Sequence, residues 1–257
     1  MKSYSALIIA FLICVSPALA LDRTGMVLYL SFDEGEGETA KDRSGDGNDG
    51  QLQGNVQWVD GQHGKALYFS DDAAGNMVVV ADDNTLDITG SMTIALWVNI
   101  ESIGPDGSNS LITKADTYMI HTSNWGGMGI EQELLLWPFD QWQTTASTPI
   151  QINEWRHVTG VYNGSDIIMY IDGELMGQRA RAGAIASTSS DLVIGRDSRA
   201  CCNARRTAQT LDEIMIFSRA LSEKEIQEAM EANSFSVNPS GSLAATWGEM
   251  KLGMVHN

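Results

Sequence analysis

Between Tyr118 and Trp142 the chain gathers Tyr118, His121, Asn124, Trp125, Trp137, Asp140 and Trp142, with glycines at 126, 127 and 129. Aromatic faces cover the apolar side of a sugar ring and planar polar groups bind its hydroxyls, so this mixture has the chemistry of a carbohydrate-binding surface. Trp125, beside Asn124 and Gly126-Gly127, reads as a loop residue and is the leading ligand contact, with Trp142, Tyr118, His121 and Asn124 as its companions. The competing reading is that tryptophans of β-sandwiches fill the core, which is expected of Trp97 and Trp155 inside apolar runs.

Other constellations carry less. Asp42-Arg43-Ser44-Gly45-Asp46-Gly47 imitates the first half of an EF-hand loop, but the twelfth position is Gln53 and no helical pattern flanks the run, so it reads as a structural turn. The run Asp33-Glu34-Gly35-Glu36-Gly37-Glu38 is acidic but too glycine-rich to place a catalytic pair rigidly. Gly-x-Ser-x-Gly, His-Glu-x-x-His and phosphate-cradling glycine loops are absent from the sequence. Cys201 and Cys202 are adjacent. In an exported protein a vicinal disulfide in a strained ring is the expected state, with free thiols or intermolecular pairing as alternatives. Arg196, Arg199, Arg205 and Arg206 surround the pair. They form either a solvated loop or a basic patch for a carboxylated or sulfated sugar.

These groups need a scaffold, and its rhythm is legible. From Met26 onward, apolar residues fall in short bursts bounded by Gly, Asp, Asn and Ser: Val27–Phe32, Ala66–Phe69, Met77–Val80, Met92–Ile100, Ser110–Thr113, Thr117–His121, Glu133–Trp137, Arg156–Tyr162, Ile167–Ile171, Asp191–Ile194 and Leu211–Phe217. Many short strands without strand–helix alternation predict an all-β antiparallel sandwich. Asn163-Gly164 and Asp172-Gly173 are expected to close hairpins through type I′ turns. One short C-terminal helix is predicted from Ser222 to about Ala232. It opens on the capping box Ser222-Glu223-Lys224-Glu225 and buries Ile226, Ala229 and Met230.

The chain has 257 residues, enough for one large all-β domain with an ordinary core. Asp and Glu total 33 against 16 Lys and Arg, a formal net charge of −17. Such a field repels phosphate backbones and anionic membranes, which argues against nucleic-acid binding and favours cations or neutral ligands. Residues 1–20 carry Lys2, an apolar run from Ala6 to Val15 and the small-residue ending Ala18-Leu19-Ala20. That is the pattern of a secretory signal cleaved near Ala20, and the run is shorter than the about 20 residues of a membrane span. The expected division is a signal at 1–20, a domain at 21–233 and a tail at 234–257. The product is expected to be secreted, extracellular or periplasmic. The tail has no sustained period, although Leu243, Trp247, Met250 and Met254 could dock on the domain or on a partner.

Several stretches taken together resemble one family. They are Tyr29-Leu30-Ser31-Phe32-Asp33-Glu34, Asp42 to Gly50, Gly64-Lys65-Ala66-Leu67-Tyr68-Phe69, Thr93 to Val98, Glu154-Trp155-Arg156-His157-Val158, Tyr170-Ile171-Asp172-Gly173, Ile194-Gly195-Arg196, and Leu211-Asp212-Glu213-Ile214 leading to Phe217-Ser218-Arg219-Ala220-Leu221-Ser222. In order and spacing they are similar to the concanavalin A-like lectin/glucanase superfamily, in its laminin G-like branch, over about residues 26–233. The resemblance implies a jelly-roll sandwich of two antiparallel sheets with the first and last strands paired. It also implies a structural calcium where those strands meet, with Asp33 and Asp212 at the matching positions and Asp71 and Asn48 as candidates to complete the oxygen shell. Asp33 and Asp212 could instead only cap turns. Glucanases on this fold use an alternating strand of three carboxylates. Here Glu131-Gln132-Glu133 runs into leucines with no third acid, so catalysis is not expected. The function expected is a secreted, non-catalytic binding module, with carbohydrate or cell-surface glycan as the leading ligand class. The alternatives are an adhesion or scaffolding module that binds protein, and a glycoside hydrolase or lyase on the same scaffold.

Overall fold

The computed structural model describes residues 21–72, 75–102, 108–123, 131–136, 151–197, 199 and 207–231. The signal-like segment, the tail, Trp125, Trp142, Asn124, Cys201 and Cys202, with the expectations attached to them, lie outside the described residues. Two antiparallel sheets face each other. Along the chain come β1 (Met26–Leu30), β2 (Thr39–Ala40), β3 (Gly50–Gln53), β4 (Gln57–Asp60), β5 (Lys65–Phe69) and β6 (Met77–Val80). They are followed by β7 (Met92–Ile100), β8 (Ser108–Lys114), β9 (Tyr118–Ser123), β10 (Glu131–Leu136), β11 (Trp155–Tyr162) and β12 (Asp166–Ile171). The last are β13 (Glu174–Ala180), β14 (Leu192–Ile194) and β15 (Gln209–Phe217), and the helix α1 spans Glu223–Glu231. The first sheet runs β13-β12-β11-β7-β15-β5-β4, with β1 also paired to β15, and the second runs β10-β9-β8-β14-β6-β3-β2.

Each of the eleven apolar bursts overlaps a strand, and the first and last strands pair as expected, with Leu28 opposite Ile216 and Leu30 opposite Ile214. The four strands the apolar pattern missed, β2, β3, β4 and β13, are polar (Gln57-Trp58-Val59-Asp60, for example) and lie at or beside sheet edges. There one face sees solvent and the other touches only the rim of the core, so apolar alternation is weak. The Asp172-Gly173 turn has both residues at positive φ, as a type I′ turn requires. At Asn163-Gly164 only the glycine does, because the Asn163 side chain accepts from Ser165 N and Asp166 N and closes the turn itself.

Alternation along the central strands builds two cores. Leu96, Val98, Ile214, Ile216, Ile120 and Ile194 join the core between the sheets. Ala95, Met215, Phe217, Tyr29 and Tyr170 point the other way and meet Ile226 and Ala229 of α1. The central strands are therefore covered on both faces, which is why Met92–Ile100 reads as a nearly unbroken apolar run. The capping box forms: Ser222 N donates to Glu225 Oε2 at 2.8 Å, and Arg219 pairs with the other carboxylate oxygen at 2.7 Å. At the far end the Met230 carbonyl accepts from Trp97 Nε1 at 3.2 Å and from His63 Nε2 at 3.3 Å, so two ring donors satisfy an orphan carbonyl of the last turn.

His157 lies edge-on to Trp97 at 5.3 Å and is buried. Burial opposes its cationic form and lowers its pKa to about 3, against 6.5 for a free imidazole. A base whose folded pKa is depressed supports the fold fully above the unfolded pKa and loses that support as pH falls toward the folded one. His157→Gln is expected to be less stable than wild type near pH 7. Between about pH 7 and about pH 5 the gap narrows by about 2 kcal/mol, read from denaturant melts at both pH values. A gap independent of pH contradicts a neutral, buried His157.

Candidate functional site

Strand β15 carries two acids, Asp212 and Glu213, inside the run Leu211 to Phe217, and all of it is buried. They stand where the strand changes partner. Residues Gln209 to Leu211 pair with β5, Ile214 to Phe217 pair with β1, and between those two neighbours the ladder is interrupted. On the opposite edge the register with β7 also shifts between Asp212 and Met215. Glu213 adopts a left-handed backbone with φ 51, and Phe32, just beyond β1, does so with φ 57. Left-handed conformations at bulky residues cost energy and mark places where the surrounding structure imposes them.

The turn between β4 and β5 wraps this gap. Asp212 Oδ2 accepts from His63 N at 2.9 Å, and Lys65 N donates to Asp33 Oδ1 at 3.2 Å. The approach is so close that a Cβ on Gly61 would stand 2.5 Å from Asp212 Oδ2, and one on Gly64 would stand 2.1 Å from Asp33 Oδ1. Tyr29 donates its hydroxyl proton to Glu213 Oε2 at 2.6 Å. The remaining oxygens, Asp212 Oδ1 and Glu213 Oε1, are buried and accept no hydrogen bond among the described residues. Burial pushes the Asp212 carboxyl up to about 7 and Glu213 up to about 8, and the nearby Asp33 charge adds to both.

Oxygen-only donors with orphaned buried carboxylate atoms fit a hard cation. Among the described residues no three His, Cys, Asp or Glu side chains gather so as to hold a metal ion, so a cation here also needs backbone carbonyls. Asp33 and Asp212 come together as the sequence indicated, but the two other candidates do not join them. Asp71 follows the far end of β5, and five residues of strand put it roughly 16 Å away, beside Ser102. Asn48 donates its amide nitrogen to the Val27 carbonyl at 2.8 Å and to Thr85 Oγ1 at 2.9 Å, which places it near the start of β1, whereas Asp33 lies beyond the other end of that strand. The EF-hand-like run is a turn, as expected. Asp42 accepts from the backbone of Tyr29, Ser44, Gly47 and Asn48 and from the Ser44 hydroxyl, which leaves it no metal-ligand role. Glu213 and Tyr29 were missed, although two adjacent acids in an otherwise apolar strand were the available signal.

A second site lies on the outer face of the second sheet. Val78, Val80, Leu192 and Ile194 face the core, so Met77, Val79 and Val193 face outward. They floor a groove of about 690 Å³, whose walls include Gln53, Ser189, Ser190, Asp191, Arg196 and Asp197. Asp197 is fully buried and held by Arg199 through Nε at 3.0 Å and Nη2 at 2.7 Å, and Arg199 also reaches Met119 Sδ at 3.8 Å. Of the sequence-derived ligand contacts on described residues, Tyr118 is corrected. Its side chain is in the core and its hydroxyl donates to the Leu86 carbonyl at 3.1 Å. His121 stands three residues along β9, on the opposite, outward face with Met119, but it is fully enclosed and offers no exposed ring edge.

Among the described residues no helix is long and apolar enough to cross a membrane. No curated protein matches the chain at the sequence level. Solved structures do match in fold. Domain 4 of AbnA, a GH43 extracellular arabinanase from Geobacillus stearothermophilus, in complex with arabinotriose, aligns with TM-score 0.62 at 17% identity, covering 79% of this chain and 97% of that one. The binding domain of botulinum neurotoxin DC, in complex with rat synaptotagmin II, aligns with TM-score 0.57 at 15% identity, over 83% of this chain and 52% of that one. A Trypanosoma rangeli sialidase, captured with 2,3-difluorosialic acid as a covalent intermediate, aligns with TM-score 0.61 at 18% identity, over 81% of this chain and 33% of that one. The chain thus spans about half of the toxin binding domain and a third of the sialidase. The family model for laminin G-like domains matches residues 72–227, more than half of the sequence. With the paired sheets and terminal-strand closure described above, this match makes the chain a member of the concanavalin A-like lectin/glucanases superfamily.

Proposed function

We propose that the chain is an exported, non-catalytic carbohydrate-binding module that holds a calcium ion at the β1–β5–β15 gap. The observation that carries the reading is the asymmetry of the sandwich. The outer face of the first sheet is covered by α1, whereas the second sheet carries the groove, whose apolar floor is rimmed by hydroxyl, amide and charged groups. That mixture suits sugars, which present both apolar ring faces and hydroxyls. The carboxylates around the groove argue against hydrolysis. A glycosidase needs one ionised carboxylate and one raised in pKa, facing each other across the bond. Here Asp197 is buried in its pair with Arg199, and Asp191 accepts from Asp82 N. The acids with raised pKa, Asp212 and Glu213, stand in the other sheet.

The calcium reading rests on the orphaned oxygens of Asp212 and Glu213, with Asp33 alongside and backbone carbonyls completing the shell. When bound, the ion neutralises the buried charge and ties β1 to β15. Export rests on the signal-like residues 1–20. It agrees with the extracellular arabinanase domain among the structural neighbours, whose bound arabinotriose also supports the sugar reading. A second reading, a module that binds a protein receptor, is supported by the toxin domain in complex with synaptotagmin.

Two measurements test these readings. A glycan array and a soluble polysaccharide panel, probed with wild type and Val79→Asp, are expected to show a bound glycan whose signal falls about tenfold or more in the variant, with no release of reducing sugar. Equal signals remove the groove, and released reducing ends revive the hydrolase. For calcium, the sign follows from the two raised carboxyls. Free values are 3.8 and 4.5 and folded values about 7 and about 8, so the metal-free fold keeps protons the unfolded chain has lost, and its stability falls as pH rises through that window. Calcium takes the ionised form, so the gain in melting temperature over chelator is expected to be larger near pH 8 than near pH 5. Asp212→Asn is expected to abolish that gain. A melting temperature indifferent to calcium at both pH values removes the ion.

A further inference from the structure

Of the four arginines near the cysteine pair, two lie on described residues, and they differ in what they face. Arg199 is committed to Asp197. Arg196 is half-buried in the wall of the groove and has no hydrogen bond or ion pair among the described residues. Its Nη1 stands 3.4 Å from where a Cβ on Gly75 would lie, so the glycine leaves room beside the guanidinium.

An arginine half-buried in a groove wall and paired by no described residue has its fork of donors available for an anion, a carboxylate or a sulfate. The acids beside it do not serve. Asp197 already has a guanidinium, and Asp191, exposed at the rim, directs Oδ1 to Asp82 N. We infer that the groove selects a glycan bearing an acidic group, a uronate carboxylate or a sulfate ester, and that Arg196 is the residue that reads it. The sugar ring then lies on Val79 and Val193, and Ser189 and Ser190 are at hand for its hydroxyls. Because the chain as a whole carries a net charge of −17, the selectivity has to come from this local contact and not from long-range attraction. The inference rests on the carbohydrate-binding reading and goes beyond it by naming the ligand class.

The test is calorimetric titration of the full chain at moderate salt with three probes: oligogalacturonate, a sulfated galactan oligosaccharide and a neutral arabino-oligosaccharide. Wild type is expected to bind at least one acidic probe more tightly than the neutral one. Arg196→Gln is expected to lose that binding by about tenfold or more, with an unchanged melting temperature, and the probe affected tells carboxylate from sulfate. Arg196→Lys, which keeps the charge but not the fork, is expected to recover only part of it. Acidic probes bound equally by wild type and Arg196→Gln, or a neutral probe preferred by both, overturn this inference and leave the carbohydrate reading standing. Failure of wild type to bind any probe here and any glycan on the array overturns both.

Discussion

Two adjacent carboxylates buried in a nine-residue interior strand constrain one whole end of the sandwich. An ionised carboxylate in a dry interior is costly unless it is paired or coordinates a cation, and this strand carries two carboxyl groups side by side. The parts around them follow from that. The Tyr29 hydroxyl and the His63 backbone amide each serve one oxygen, and Gly61 and Gly64 lack the side chains that would collide with Asp212 and Asp33. Glu213 and Phe32 take left-handed backbones on either side of the break in the ladder. Even so, one oxygen of each acid stays unserved among the described residues, and both groups hold their protons to near neutral pH. The calcium proposed above would take up those two oxygens where the first and last strands meet.

That junction connects the two halves of the functional reading. By fastening β1 along β15, it closes the first sheet and fixes the platform on which α1 lies, held at its start by the capping box and at its end by Trp97 and His63. α1 lies on that outer face, and the groove proposed above as the ligand site lies on the other sheet. The buried, proton-holding acids stand in the first sheet, away from the groove on the second.

Much of this was legible in the chain. The apolar bursts marked the central strands because both of their faces are covered, and the helix announced itself through Ser222 and Glu225. The resemblance to the family pointed to Asp33 and Asp212, and both lie against the turn between β4 and β5. What escaped did so for physical reasons. The edge strand Gln57–Asp60 is half solvated and carries almost no apolar period. Tyr118 looked like a sugar contact because an aromatic residue near tryptophans suits either a core or a surface, and only the strand's alternation sends it inward while His121 goes out. Arg196 and Arg199 are the same residue type in one short stretch of chain. Which one is neutralised depends on the location of Asp197, a matter of loop geometry that composition does not encode.

The most direct test of the calcium junction is titration of the metal-free chain with calcium by calorimetry near pH 7 and near pH 9, in buffers of different ionisation enthalpy so that proton release is counted. Because Asp212 and Glu213 retain protons near neutrality, one calcium is expected to bind per chain, with protons released near pH 7 and release nearly gone near pH 9. No uptake at millimolar calcium, or uptake near pH 7 without proton release, contradicts it.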